Sequence, residues 1–117
     1  YASAKCGADR LVYSYYQTYK IPAVILRPFN QYGPRQHLEK AVPRFITSCL
    51  LGEKIRLHGD GQAGRDWTFV EDTCRGIDFL LHADDKNVVG EVFNLGNDKD
   101  TSIKDIALNK YELKEIS

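Results

Sequence analysis

The chain has 117 residues, and its 16 Lys and Arg are balanced by 16 Asp and Glu. With no net field of either sign it recommends neither nucleic acid nor a strongly charged partner, and no apolar run approaches the ~20 residues of a membrane span. Its 43% hydrophobic and 27% charged content is that of an ordinary globular domain, and Cys6, Cys49 and Cys74 are an odd set without Cys-x-x-Cys spacing.

In residues 2–20 the apolar positions Ala4, Ala8, Leu11, Val12, Tyr15 and Tyr19 recur at three and four, which predicts an amphipathic helix that Pro22 ends. Residues 23–26, Ala-Val-Ile-Leu, read as a strand buried on both faces of a parallel sheet. Residues 29–40 contain Gly33-Pro34 and many polar groups, so they read as a long loop. A second helix is expected over 42–51, with Pro43 in its first turn and Gly52 as its stop. Residues 54–58 alternate like a half-buried strand, and Gly59-Asp-Gly61 looks like a hairpin turn. A strand over 66–70, a helix over 71–83 with Asp72 as its cap, a polar loop over 84–87 and a strand over 91–95 follow. Ser102-x-x-Asp105 has the spacing of a capping box opening a last helix. The scattered His37, His58 and His82 lack metal-ligand spacing, so no metal is expected. The three thiols are read as reduced and packed like small hydrophobes.

Chemistry concentrates in four blocks. Tyr1-Ala-Ser-Ala-Lys5 places a phenol and an ammonium one helical turn apart on one face, and a fixed cation favours the charged form of a phenol beside it. Leu26-Arg-Pro-Phe-Asn-Gln-Tyr-Gly-Pro-Arg35 begins where a buried strand ends, and ligands of open α/β sheets bind beyond such ends. Gly59-Asp-Gly-Gln-Ala-Gly-Arg-Asp-Trp67 and Phe69-Val-Glu-Asp72 complete the series.

In this order and at these separations the blocks resemble the extended short-chain dehydrogenase/reductases, specifically the NAD-dependent nucleotide-sugar epimerases and 4,6-dehydratases. The resemblance runs from Tyr1 to about Ala107. It implies an α/β fold: the last part of a Rossmann-type NAD-binding domain at residues 1–34, a nucleotide-sugar lobe at 35–107, and a truncated or poorly patterned tail at 108–117. It implies that Tyr1 takes the proton from the sugar 4-hydroxyl as hydride leaves C4 for NAD. Lys5 would assist Tyr1 and hold the nicotinamide ribose. Pro28 would contact the nicotinamide, and Asn30 would hydrogen-bond the substrate. Arg65 would grip the diphosphate, for which a rigid fork of donors is suited. The alternative for Arg65 is a surface pair with Asp66. Lys40 and Ala41 align with a loop closing over the nucleotide, Arg56, Leu57 and His58 with a segment along its base, and Asn94 with another substrate contact. Each could instead be an ordinary strand or loop residue.

The resemblance further implies a cytoplasmic enzyme and a homodimer formed through the first helix. Tyr13, Tyr15, Tyr16 and Tyr19 on that helix read as packing rather than chemistry. No Gly-x-x-Gly-x-x-Gly follows a strand anywhere in the chain. The chain is therefore expected to be the C-terminal half of such an enzyme, inactive by itself, and it does not distinguish epimerase from dehydratase. A different class of reading is a noncatalytic module that binds a sugar nucleotide.

Overall fold

The computed structural model describes residues 1–112, with side chains through Leu108. It is a mixed α/β chain with parallel strands, as the sequence predicts. The chain forms two compact units: Tyr1–Pro28 with Glu71–Leu95, and Phe29–Val70 with the segment from Gly96 onward.

The first unit opens with helix α1 (Ala2–Tyr19), which ends where Lys20 turns left-handed and returns its N–H to the Tyr16 carbonyl. Pro22 prevents the helix from resuming. Strand β1 (Ile25–Pro28) pairs in parallel with β4 (Val92–Leu95), Ile25 beside Val92 and Pro28 beside Leu95. The strand starts two residues later than the apolar run suggests. Ile25 and Leu26 are half-buried rather than enclosed on both faces, while Arg27 and Pro28 are exposed. Helix α3 (Val70–Leu81) carries Glu71 and Asp72 in its first turn, where acidic side chains complement the helix dipole. Asp72 lies inside that turn and pairs with Arg75, so it is not the cap. Gly76 is closely approached by Leu95: a Cβ there would meet the Leu95 side chain at 3.0 Å. The expected polar loop at 84–87 is instead a short helix α4 (Asp85–Val88), capped by the Asp84 carboxylate and burying Val88.

The second unit contains β2 (Asn30–Tyr32), α2 (Ala41–Leu51), β3 (Gly64–Phe69), β5 (Asp100–Ser102) and α5 (Ile103–Glu112). Strand β3 is central, parallel to β2 and antiparallel to β5. Its Thr68 is almost completely buried, and Phe45 of α2 and Ala107 of α5 supply apolar core where those helices pack. Helix α2 stops at Gly52 in the left-handed region, with the N–H groups of Gly52 and Glu53 returned to Cys49 and Ser48. Ser102 caps α5 as its spacing suggests: Asp105 N–H donates to Ser102 Oγ, and that hydroxyl donates to Asp105 Oδ2 at 2.6 Å, so the carboxylate meets the side chain rather than the Ser102 N–H that a full capping box would use.

Three expectations fail here for one reason: a ladder needs a partner. Residues 30–32 were expected in a loop, but they find β3, and the Tyr32 and Phe69 rings meet at 5.4 Å. Residues 54–58 alternate like a strand, yet no strand pairs with them among the described residues, and only Ile55 is half-buried. Without that strand, Gly59-Asp-Gly61 is a turn with both glycines left-handed, not a hairpin. Helix α5 reaches into the expected unpatterned tail, and residues 113–117 of that tail lie outside the described residues.

Candidate functional site

In the first unit, Tyr1 stands immediately before α1 as its N-cap, its carbonyl accepting the Lys5 N–H at 3.1 Å. Tyr1 is 97% exposed, and the Lys5 ammonium lies 5.5 Å from the centroid of its ring. The helix thus brings the phenol and the cation together, as their spacing predicts. One turn further along, Asp9 accepts a hydrogen bond from Arg27 Nε at 2.6 Å, and an Nη of the same guanidinium lies 2.5 Å from that oxygen as an ion pair. This pair joins the Tyr-Lys helix to β1, and the sequence reading missed it. The register sets Pro28 beside Leu95 and Asn94 beside Arg27, so Pro28 and Asn94 share the carboxyl end of the parallel pair. The aromatic residues of α1 meet one another on the helix surface, Tyr15 on Tyr19 at 5.3 Å and Tyr13 on Tyr16 at 6.4 Å.

In the second unit, Asn30 is the neighbour of Trp67, and Arg65 lies two residues back along β3. Strand alternation puts Asn30, Arg65 and Trp67 on one face of the sheet, with Asn30 and Arg65 both exposed. Arg65 uses one Nη to bond the Gly64 carbonyl at 2.7 Å, and no carboxylate pairs with it among the described residues. Asp66 is engaged elsewhere. Its carboxylate accepts the backbone N–H of Asn97 and of Asp98 at 2.9–3.0 Å, while Asn97 Nδ2 donates to the Trp67 carbonyl. The surface pair of Arg65 with Asp66 is therefore not formed, which leaves most of the guanidinium's five donors for something else.

Lys40 is the extended N-cap of α2, its N–H bonded to the His37 carbonyl, and Ala41 is the first helical residue. Arg56, Leu57 and His58 lie on the irregular stretch after α2. Arg56 lines a cavity of about 550 Å³ together with Arg44, Phe45, Ser48, Glu53 and Lys54. Three cations and one carboxylate on this wall suit a polar ligand, and the cavity was not foreseen, because it is lined jointly by α2 and the irregular stretch after it. Among the described residues, no group of His, Cys, Asp and Glu is placed to hold a metal ion.

Close packing holds the loop after β4. A Cβ at Gly96 would lie 2.5 Å from Asp66 Oδ2 and inside the contact shell of the Phe29 ring. Gly96→Val is expected to cost about 1–3 kcal/mol through overpacking. Thermal or urea unfolding reads this directly, and an unchanged midpoint would show that the loop yields freely.

A parallel strand pair beside a helix bearing Tyr and Lys at one end defines an α/β protein of the Rossmann type, and solved structures agree over the whole chain. The NAD-bound dTDP-glucose 4,6-dehydratase from Bacillus anthracis is similar with a TM-score of 0.91 and 38% identity, covering 100% of this chain and 37% of that one. A UDP-glucuronic acid 4-epimerase from Bacillus cereus, a Y149F mutant solved with NAD and a fluorinated sugar nucleotide, follows at TM-score 0.86 and 37% identity, covering 93% and 34%. The dTDP-D-glucose 4,6-dehydratase of Dictyostelium discoideum is 38% identical over 107 residues, 92% of this chain and 24% of that protein. Residues 1–96 match the model of the NAD dependent epimerase/dehydratase family, and the chain belongs to that family. It spans between 16% and 30% of the length of the curated relatives it matches. The family's cofactor is NAD, in agreement with the sequence. No described helix is long and apolar enough to cross a membrane.

Proposed function

We propose that the complete protein carrying this chain is a cytoplasmic, NAD-dependent enzyme that acts through C4 of a nucleoside-diphosphate hexose. The outcome would be 4,6-dehydration or 4-epimerisation. The observation that carries this reading is the Lys5 ammonium held over the exposed Tyr1 ring in a chain of this family. An exposed phenol, a neighbouring cation and Pro28 at the carboxyl end of a parallel pair fit the nicotinamide end of a dinucleotide. NAD, when bound, supplies the acceptor for the hydride that leaves C4.

In this proposal the Tyr1 oxygen takes the proton of the sugar 4-hydroxyl. Lys5 stabilises the negative charge on that oxygen and donates to the nicotinamide ribose. Pro28 borders the nicotinamide ring. Arg65 binds the diphosphate, Asn30 and Asn94 hold the sugar, and Lys40, Ala41, Arg56, Leu57 and His58 line the nucleotide. Residues 1–34 belong with the NAD-binding domain and 35–107 with the sugar-nucleotide lobe. Residues 1–117 alone are proposed to be inactive, since none of them forms a Gly-rich phosphate loop. Near-stoichiometric NAD binding by these residues alone would contradict this.

The test is product analysis by NMR, with the complete protein incubated with NAD and either dTDP-glucose or UDP-glucuronic acid. A 4-keto-6-deoxy sugar marks dehydration, and an inverted C4 without net keto product marks epimerisation. Binding of either compound without turnover would favour the noncatalytic module instead.

We also propose a homodimer formed through α1, on which no residue is buried and Leu11, Tyr15 and Tyr19 are 60%, 50% and 67% exposed. Large amphipathic side chains at that exposure suit an interface. Light scattering on the complete protein should give twice the chain mass, and Leu11→Glu should reduce it. A monomer at micromolar concentration would refute the interface.

A further inference from the structure

We propose that Arg27 is a positioning residue that keeps the Asp9 carboxylate away from Lys5, so that the Lys5 ammonium stays committed to Tyr1. The inference rests on the acid/base reading of Tyr1 and Lys5 given above. Helical spacing sets Tyr1, Lys5 and Asp9 in one row, each a turn from the next. Asp9 therefore occupies a position from which a carboxylate can reach a lysine four residues earlier, although this order of charges is the weaker of the two. Such a pair would draw the ammonium away from Tyr1 and cancel its charge.

The structure shows a different partner. Arg27, on β1, delivers Nε at 2.6 Å and an Nη at 2.5 Å to the same oxygen of Asp9. The Asp9 side chain is 21% exposed and that of Arg27 is 45% exposed. A charge-assisted Nε hydrogen bond with a second guanidinium nitrogen paired to the same oxygen, on a largely covered carboxylate, outcompetes one flexible ammonium. Among the described residues Lys5 enters no ion pair, and its ammonium lies 5.5 Å from the Tyr1 ring centroid instead. The other nearby cation on the helix, Arg10, is turned over the Tyr13 ring at 5.2 Å and does not compete for Asp9.

Sequestration and simple bracing of the helix on the strand differ in what they forecast. If the pair only braces, losing either partner is equally harmful and losing both is no better. If Arg27 sequesters Asp9, then Arg27→Met frees a carboxylate that captures Lys5, whereas Asp9→Asn frees nothing harmful. In the complete protein, Arg27→Met is expected to lower kcat about tenfold or more. Asp9→Asn should lower it much less, and the double variant should regain most of the loss. The dissociation constant for NAD, read by fluorescence, should weaken in Arg27→Met and recover in the double variant. A crystal structure of Arg27→Met should place the Asp9 carboxylate within hydrogen-bonding reach of Lys5 Nζ. Arg27→Gln serves if the methionine variant does not fold.

Equal damage from the two single variants, or no recovery in the double, overturns the proposal. Tyr1→Phe, measured alongside, separates the two levels. If it abolishes turnover while the double variant fails to recover, the acid/base reading stands and sequestration falls. If it leaves turnover intact, the acid/base reading falls, and the Asp9 position in the Arg27→Met crystal structure decides sequestration alone.

Discussion

Tyr1→Phe is expected to lower the kcat of the complete enzyme by about 10²–10⁴-fold, the usual worth of a positioned general acid or base. The change removes one oxygen and leaves the ring. The Lys5 ammonium keeps its aromatic neighbour, so the contact at 5.5 Å and the helix start survive. Tyr1 is almost fully exposed, so no buried hydrogen bond is lost and the unfolding midpoint should hardly move. The KM for the sugar nucleotide should change little, because a proton-transfer group contributes in the transition state rather than to ground-state binding. Steady-state kinetics with calorimetry on the same sample separates these effects. A kcat within a few-fold of the parent's would remove Tyr1 from the chemistry and leave it a surface residue.

Arg65→Met acts on the other side of the kinetic ledger. The guanidinium meets no carboxylate among the described residues and spends one Nη on the Gly64 carbonyl. It shares a sheet face with Asn30 and is supported by the β3–β5 pairing opposite Thr101. Losing hydrogen bonds to a charged diphosphate costs about 1.5–3 kcal/mol, so KM should rise roughly 10- to 100-fold. Arg65→Lys keeps the charge but not the fork, and should recover only part of that loss. Calorimetric titration with dTDP or UDP gives the same comparison without turnover. Unchanged affinity for both nucleotides would show that the donors of Arg65 face no phosphate.

The strongly periodic elements were legible from residues alone. The spacing of Ala4, Ala8, Leu11 and Tyr15 defines α1, and Gly52 marks the end of α2. The Ser102–Asp105 cap was readable because both hydrogen bonds are local. What escaped depends on distant partners. Residues 30–32 look like loop until β3 is beside them, while 54–58 look like strand and find nothing to pair with. The candidate site divides in the same way. Tyr1 and Lys5 are a turn apart in one helix, so their meeting could be foreseen. The Arg27–Asp9 pair and the grip of Asp66 on residues 97 and 98 join segments 18 and 31–32 positions apart, where pattern carries no information.

The interleaving of the two units has a consequence for how the protein is made. Strand β1 is synthesised before its register partner, which begins at Val92, beyond most of the second unit. At about 5–20 residues per second, residues 25–28 wait several seconds on the ribosome for this partner. An unpaired strand is a template for the wrong neighbour. Nascent chains stalled before residue 92 should therefore be more prone to aggregation and chaperone capture than chains released just after Leu95.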